Sequence, residues 1–488
     1  MLEKIKELTK DTAIYGISTI IGRFLGFFLI PFYTNVINTH DFGIYSNIYA
    51  YLAFLNIFFI YGMDAAFMKY ASLKEDKSEK KKIFSTTYLF VTLTTLLLAV
   101  LLYLLKTPFS RLMEIPNEYS KLYHYLIFIL IFDTLALVPF ANLRLERKSA
   151  KFTTIKLSNI VLNLALNFIL VLKYKLGIEG IFLANLYASA FSFLVLTPEI
   201  YRLISIKIDK ELLSKLLKFG IPYLPASLAA MVVQVVDRPV VLAMTNESTL
   251  GIYQANYKLG VFMMLFVSMF QFAWQPFFLN NAKEKNAKEI FAKVLTLFLL
   301  VSSMIWIVLT LFVEDFARFE FLPGKSIIGR DFLSGIAIVP IILLGYLFNG
   351  IYYNFQAGIY IEEKTKYFPF VTGAGALINV VVNILLIPIL GLIGAALATL
   401  ASYVVMALGL YLFSRKVYPI KYEYGKVFKI LTIITVTCIL YYYLYYEIGL
   451  TFIYKLFLLA GFLGSLFVLR VVEKNEIIRL VKMLLRVK

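Results

Sequence analysis

The sequence predicts an all-α polytopic membrane protein with about fourteen transmembrane helices, arranged as two parallel six-helix lobes plus two extra C-terminal helices. Three observations lead there: an apolar excess, its division into spans of membrane length, and an internal duplication. Of 488 residues, 60% are hydrophobic and 16% charged, against roughly 45–50% and about 25% in a soluble domain. That excess needs lipid to face.

A membrane-crossing helix takes about 20 mostly apolar residues. Such runs fall at 12–37, 42–68, 83–106, 119–143, 153–173, 179–201, 217–244, 249–279, 289–313, 331–357, 367–388, 391–413, 427–446 and 449–469. The segment before the first, Met1 to Asp11, is mixed-charge and amphipathic and lacks the compact apolar stretch and small-residue site of a cleaved leader. The first run is therefore expected to be a retained helix. Pro31, Pro139, Pro222, Pro225, Pro239, Pro276 and Pro340 fall inside the runs, where each frees a backbone carbonyl and favours a kink. Three of them concentrate in the seventh run, the expected bending element.

The charge distribution sets the orientation. With the N-terminus inside, 36 of the 48 Lys and Arg fall on the cytoplasmic side and 8 on the outer side, the rest lying within helices; cytoplasmic loops carry that excess. Both termini are expected in the cytoplasm and the chain in the cell membrane as a multi-pass protein. The net charge of +18 then reflects orientation and calls for no nucleic acid. The tyrosines at 441, 442, 443, 445 and 446 reach the outer end of the thirteenth run, as an interfacial belt would. Cys438 stands alone and the histidines are His40 and His124, so no internal disulfide and no Cys or His metal cluster can form. No metal or cofactor is expected.

The second and eighth helices open alike, on Phe42-Gly43-Ile44-Tyr45 and Leu250-Gly251-Ile252-Tyr253. Further matches keep the order: Tyr15-Gly16-Ile17 with Phe219-Gly220-Ile221, Leu145 to Ser149 with Ile361 to Thr365, Asn163 and Asn167 with Asn379 and Asn383, and Gly177 to Gly180 with Gly391 to Gly394. The expected organisation is an N-terminal lobe at 1–205, a C-terminal lobe at 206–420, and helices 13–14 with a cytoplasmic tail at 421–488. Six is an even number, so the copies insert in the same sense. Parallel repeats of this kind hold substrate between the halves near the midplane.

On the Gly-Ile-Tyr openings, the Asp237-Arg238 pair and the Asn, Asn, Gly, Gly pattern of each lobe, the chain resembles the polysaccharide-transporter branch of the MOP superfamily. That branch holds the Wzx-type lipid-linked oligosaccharide flippases, relatives of the MurJ lipid II flippases and the MATE exporters. The resemblance implies export of an undecaprenyl- or dolichyl-diphosphate-linked glycan by alternating access, without ATP hydrolysis.

The residues that carry chemistry are those whose charge sits in the membrane. Arg23 lies in the middle of the first helix, where a charge costs at least about 2.5–3.5 kcal/mol unless it meets a partner or a wet cavity. Asp133, at similar depth in the fourth helix, is its candidate partner. Asp237, Arg238 and Lys258 lie roughly 10–13 Å below the outer ends of helices seven and eight at 1.5 Å per residue. Consecutive helical residues point apart, which suits Asp237 pairing with Lys258 and leaves Arg238 for a ligand. Arg23, Arg238 and Lys258 are the candidate substrate-binding cations. Asp133, Asp237 and Asp64 are candidate charge partners or sites for a coupling ion, H+ or Na+. Asn163 with Asn167 and Asn379 with Asn383, each spaced i,i+4, read as interhelical packing amides. Lys455 reads as a side chain snorkelling to the outer interface.

The functional expectation is a non-enzymatic flippase that moves a lipid-diphosphate-linked oligosaccharide from the inner to the outer leaflet, its arginines matched to the diphosphate. A MATE-like ion-coupled small-molecule exporter is the alternative in the same class; it would favour acidic cavity residues. A membrane-embedded glycan polymerase or ligase is the alternative from another class; it would need a large outer loop with catalytic residues. The expected partners are membrane lipid, the lipid-linked glycan and glycosyltransferases of the same pathway, with the chain itself a monomer.

Overall fold

The computed structural model describes residues 27–471. Twelve helices among the described residues are long and apolar enough to cross a membrane, and two shorter apolar helices, Phe27–Val36 and Phe452–Val468, stand at the first and last predicted positions. Every predicted run therefore has a helix, but several spans are broken.

The first described helix, α1 (Phe27–Val36), ends just before Asn38. The Asn38 side chain accepts from the Asp41 backbone N–H at 2.7 Å and so caps α2 (Thr39–Ile60). The second span was expected to run unbroken over 42–68. It breaks at Tyr61 and Gly62, both left-handed at φ 33° and 75°, and resumes as α3 (Met63–Ser72). A Cβ on Gly62 would press on the Gly220 carbonyl oxygen, so the break is also a close backbone approach. Next come α4 (Lys77–Leu104), the short α5 (Lys106–Leu112), α6 (Ser120–Leu145), α7 (Ser149–Asn167) with a π-helical end at Phe168–Lys173, and α8 (Gly177–Leu203).

The seventh span is in three pieces: α9 (Lys210–Gly220), α10 (Tyr223–Val235) and α11 (Asp237–Met244). Its first break falls at Ile221-Pro222, where proline removes a helical donor. Helix α9 starts at Lys210, capped by Asp209, seven residues before the expected start. The eighth span is α12 (Glu247–Tyr257), a 3-10 turn at Lys258–Gly260, and α13 (Val261–Asn281). Then α14 (Ala287–Arg318) leads into a two-stranded hairpin of β1 (Glu320–Leu322) and β2 (Lys325–Ser326), which the sequence pattern does not predict. The chain closes with α15 (Val339–Ile361), α16 (Tyr367–Leu390), α17 (Leu392–Val417), α18 (Tyr424–Tyr443) and α19 (Phe452–Val468).

Contacts divide the chain into two compact units. One takes the described residues up to Lys258 with Glu320–Gly335 and Asn379–Ala395; the other takes Leu259–Phe319, Ile336–Ile378 and Ala396 onward. In the first unit the hub is the α6 span, 72% of whose apolar window is buried, against 17% for the α7 span. In the second unit the α15 span is 78% buried and takes the same role.

Lipid supplies no hydrophobic drive for helix association, so small residues that let backbones meet matter most. The Gly-Ile-Tyr openings do this in the first unit. A Cβ on Gly43 would collide with the Glu247 carbonyl, and one on Gly251 with the Thr39 carbonyl. Each glycine meets the residue four positions before the other, so exchanging the two copies leaves the contact unchanged. That exchange symmetry is what a pseudo-twofold axis between α2 and α12 produces.

In the second unit Lys455 does not reach out to solvent. It is 6% exposed and its Nζ lies 2.5 Å from Asp315 Oδ2, because α14 places a carboxylate beside α19. The tyrosine belt is mixed: Tyr441 is buried and Tyr442 donates to the Ala337 carbonyl at 2.7 Å, while Tyr443 and Tyr446 are exposed.

Candidate functional site

Three of the charged residues picked from sequence meet in the first unit, but not in the expected pairs. Asp237 opens α11 and is 2% exposed. Its Oδ2 accepts from the Tyr253 hydroxyl at 2.7 Å, and its Oδ1 lies 3.6 Å from Arg238 Nη1. Arg238 donates from Nε to Gln254 Oε1 at 2.6 Å and from Nη1 to the Gln234 carbonyl at 2.8 Å, with its guanidinium 5.6 Å from the Tyr257 ring centre. Arg238 is thus held in place, with its charge offset by Asp237.

Lys258, the expected partner of Asp237, goes elsewhere. It opens the 3-10 turn at Lys258–Gly260 that interrupts the eighth span, and, seven residues after Gly251, it lies on the α12 face turned to α2. Its Nζ lies 5.4 Å from the Phe42 ring centre and 5.5 Å from that of Tyr45, within the field of Arg238. Among the described residues it has neither a carboxylate partner nor a hydrogen-bond acceptor. Aromatic faces offset only about 0.5–2 kcal/mol of a cation's desolvation. The site therefore carries one positive charge in excess, walled by aromatic rings.

Arg23 lies outside the described residues. Among the described residues Asp133 has Ser189 nearby and lies within the field of the Lys156 ammonium. Lys156 was missed because sequence reading counted it with the neighbouring cytoplasmic loop; it lies in the second turn of α7, 4.2 Å above the Phe140 ring. Asp64 sits half-buried in the first turn of α3, directly after the helix break, where the N-terminal end of the helix dipole favours a carboxylate. It has no side-chain partner among the described residues.

The amide pairs differ between the copies. Asn167 Nδ2 donates to Asn163 Oδ1 at 3.0 Å, and Asn167 Oδ1 accepts from the Tyr33 hydroxyl at 2.8 Å, joining two spans. Asn383 Nδ2 donates to Asn379 Oδ1 at 2.9 Å within one helix, and both residues are fully buried.

Sequence reasoning also missed a network where the end of α6 and the start of α7 meet the end of α8. Glu199, 6% exposed, lies 2.6 Å from both Lys151 and Arg202; Glu146 lies 2.6 Å from Lys148 and 3.1 Å from Arg202. Burial raises the Glu146 carboxyl, but hydrogen bonds from Lys148, Asn142 and Arg202 outweigh it and hold the group below the ordinary carboxylate range. The available signal was the run of carboxylates and cations at 144–151 opposite Glu199.

Residues 8–282 match the family model described as polysaccharide biosynthesis protein, more than half of the chain. The chain belongs to that family. No curated protein matches it. Among solved structures, this polysaccharide biosynthesis protein is similar to the lipid II flippase MurJ in an inward closed conformation, with a TM-score of 0.72 at 19% identity, covering 93% of this chain and 100% of that one. It is also similar to an inward-facing multidrug resistance MATE family transporter of the MOP superfamily, at 0.60 and 14%, covering 81% and 97%. A MOP superfamily transporter from Pyrococcus furiosus gives 0.52 and 15%, covering 83% and 95%. The fold of this family member is the MOP fold.

Proposed function

We propose that the chain is a flippase that moves a lipid-diphosphate-linked oligosaccharide from the cytoplasmic to the outer leaflet by alternating access. The observation that carries the reading is Lys258: a cation deep in the eighth span, beside Arg238 and two aromatic rings, with no acidic partner among the described residues. A diphosphate supplies the missing charge. At an effective dielectric near 20, two unit charges 4 Å apart attract by about 4 kcal/mol before desolvation, and Arg238 beside Lys258 adds planar donors. Arg23 is retained as a third substrate cation. Asp237 is the charge partner of Arg238, and Asp64 the candidate for ion coupling by H+ or Na+.

A MATE-like exporter of cations fits less well, since the one carboxylate at this site, Asp237, is already engaged by Arg238 and Tyr253. The lobes at 1–205 and 206–420, the cytoplasmic termini and the inner-to-outer direction belong to the same proposal, as does the absence of an enzymatic step.

Binding tests the proposal. Polyprenyl diphosphate without sugar should bind the purified full-length protein, and Lys258→Met should weaken it by more than about tenfold, or 1.4 kcal/mol, with the melting temperature preserved. Equal affinity of the two proteins would remove Lys258 from the substrate site.

A further inference from the structure

The two-stranded hairpin belongs to the first unit from Glu320 onward and takes no part in the cationic site. A hairpin of this size is marginal alone, so what fastens it decides what it does. Its turn is set by Pro323 and by Gly324 at φ 73°, the residue types such a turn takes. Beyond the turn it is fastened to the last turn of α1. Lys325 Nζ donates to the Asn35 carbonyl at 2.9 Å, Asn35 Nδ2 to the Ser326 carbonyl at 2.6 Å, and the Gly329 N–H to Thr34 Oγ1 at 3.0 Å. A Cβ on Gly329 would lie 1.8 Å from the Thr34 carbonyl oxygen, so glycine alone admits this approach. A helix leaves its last carbonyls without internal donors. Here β2 supplies one, from an ammonium that also suits the negative end of the helix dipole.

That fastening sets the depth of the hairpin. The chain leaves α1 after Val36 and turns at Ile37 and Asn38 into the span that begins with α2. The free backbone groups of such a turn cannot face hydrocarbon, so the last turn of α1 stands at the membrane boundary, and β2 stands with it. Ser326 and Ile328 are buried against protein at 4% and 0% exposure, whereas Phe321 and Leu322 on β1 are 45% and 59% exposed. Pro323 in the turn is exposed as well, and Val36, next to Asn35 on α1, is also uncovered. Charge does not offset this apolar face: Arg330 pairs with Glu320 at 2.8 Å, and Lys325 is engaged on α1.

We propose that Phe321, Leu322 and Pro323 form an interfacial anchor, inserted at the boundary of headgroups and acyl chains in the leaflet where α1 ends. Phe and Leu occupy that boundary in segments that lie on a membrane. Through Asn35 and Thr34 the anchor holds the end of α1 at the bilayer surface. Its partner is lipid of either headgroup charge, because the insertion is apolar and the nearby charges are paired. The inference is independent of what the protein transports.

The test uses the full-length protein in lipid nanodiscs, with Cys438→Ala and a spin label on Leu322→Cys. Power-saturation EPR compares oxygen, which concentrates in lipid, with a nickel chelate, which stays in water. Oxygen should relax the label at 322 more than the chelate does, and the same label on Lys77→Cys, at the exposed start of α4, should show the reverse. The outcome should be the same in phosphatidylcholine and phosphatidylglycerol discs. Should Cys438→Ala fail to fold, Cys438 is kept and its own signal subtracted, with the same expectation. A label at 322 relaxed mainly by the chelate would put the hairpin in water and overturn the anchor. A label shielded from both reagents would mean that protein covers this face, and insertion in phosphatidylglycerol discs alone would mean that charge recruits it; either result contradicts the proposal.

Discussion

Lys258 owes its isolation to the helix face on which it stands. Seven residues after Gly251, which touches the α2 backbone, it shares the α12 face turned to α2 and reaches Phe42 and Tyr45, whereas the α12 residue that meets Asp237 is Tyr253. That is why the charged residues were legible in the sequence and their pairing was not: charge in a span is visible by composition, but a partner depends on which neighbour each helix face meets. Lys156 was hidden for a related reason, because a lysine two turns inside a span resembles loop charge. Glu146 shows the opposite behaviour, a carboxylate with three partners in place. Its folded-state value lies below the unfolded value of about 4.3, so its contribution is full above that range and is lost as pH falls through the folded value. The melting temperature of Glu146→Gln should therefore lie below that of the parent at about pH 7, with the gap closing toward about pH 3.5. A gap that stays constant over that interval would show that Glu146 acts only through packing.

Elements carry the next layer. Fourteen helix positions were legible because a span announces itself by length and hydropathy, and the concentration of Pro222, Pro225 and Pro239 pointed to the seventh as the one that bends. The break at Tyr61-Gly62 was not legible: nothing local forbids a helix there, and the left-handed turn is stabilised by its contact with Gly220. The Gly-Ile-Tyr openings were legible as a repeat but not as a contact. Now their glycines have a physical role, since Gly43 and Gly251 let the first turns of α2 and α12 touch backbone to backbone. Gly43→Ala should cost about 1–3 kcal/mol by overpacking, and Gly251→Ala a similar amount, because each Cβ strikes a carbonyl that cannot rotate away. Thermal melting of the two single variants checks this; a change under about 0.5 kcal/mol in both would mean that α2 and α12 part easily.

At the scale of the molecule, the exchange-symmetric contact of Gly43 and Gly251 and the shared motif order support the proposed organisation, in which one six-helix unit is used twice with the same orientation. Parallel repeats suit a transporter that opens alternately to each side around a site between them, and the family assignment points to polysaccharide synthesis. In the proposed function this architecture moves a diphosphate-linked glycan with the help of Lys258. The direct measurement is flipping in protein-containing vesicles: a fluorescent polyprenyl-diphosphate oligosaccharide is placed in both leaflets, and a membrane-impermeant reductant quenches whatever reaches the outer face. The parent protein should expose nearly all of the fluorophore to quenching without ATP, whereas Lys258→Met, equally folded, should leave the inner-leaflet share protected. Flipping by Lys258→Met at the parent rate, or none by the parent itself, would contradict it.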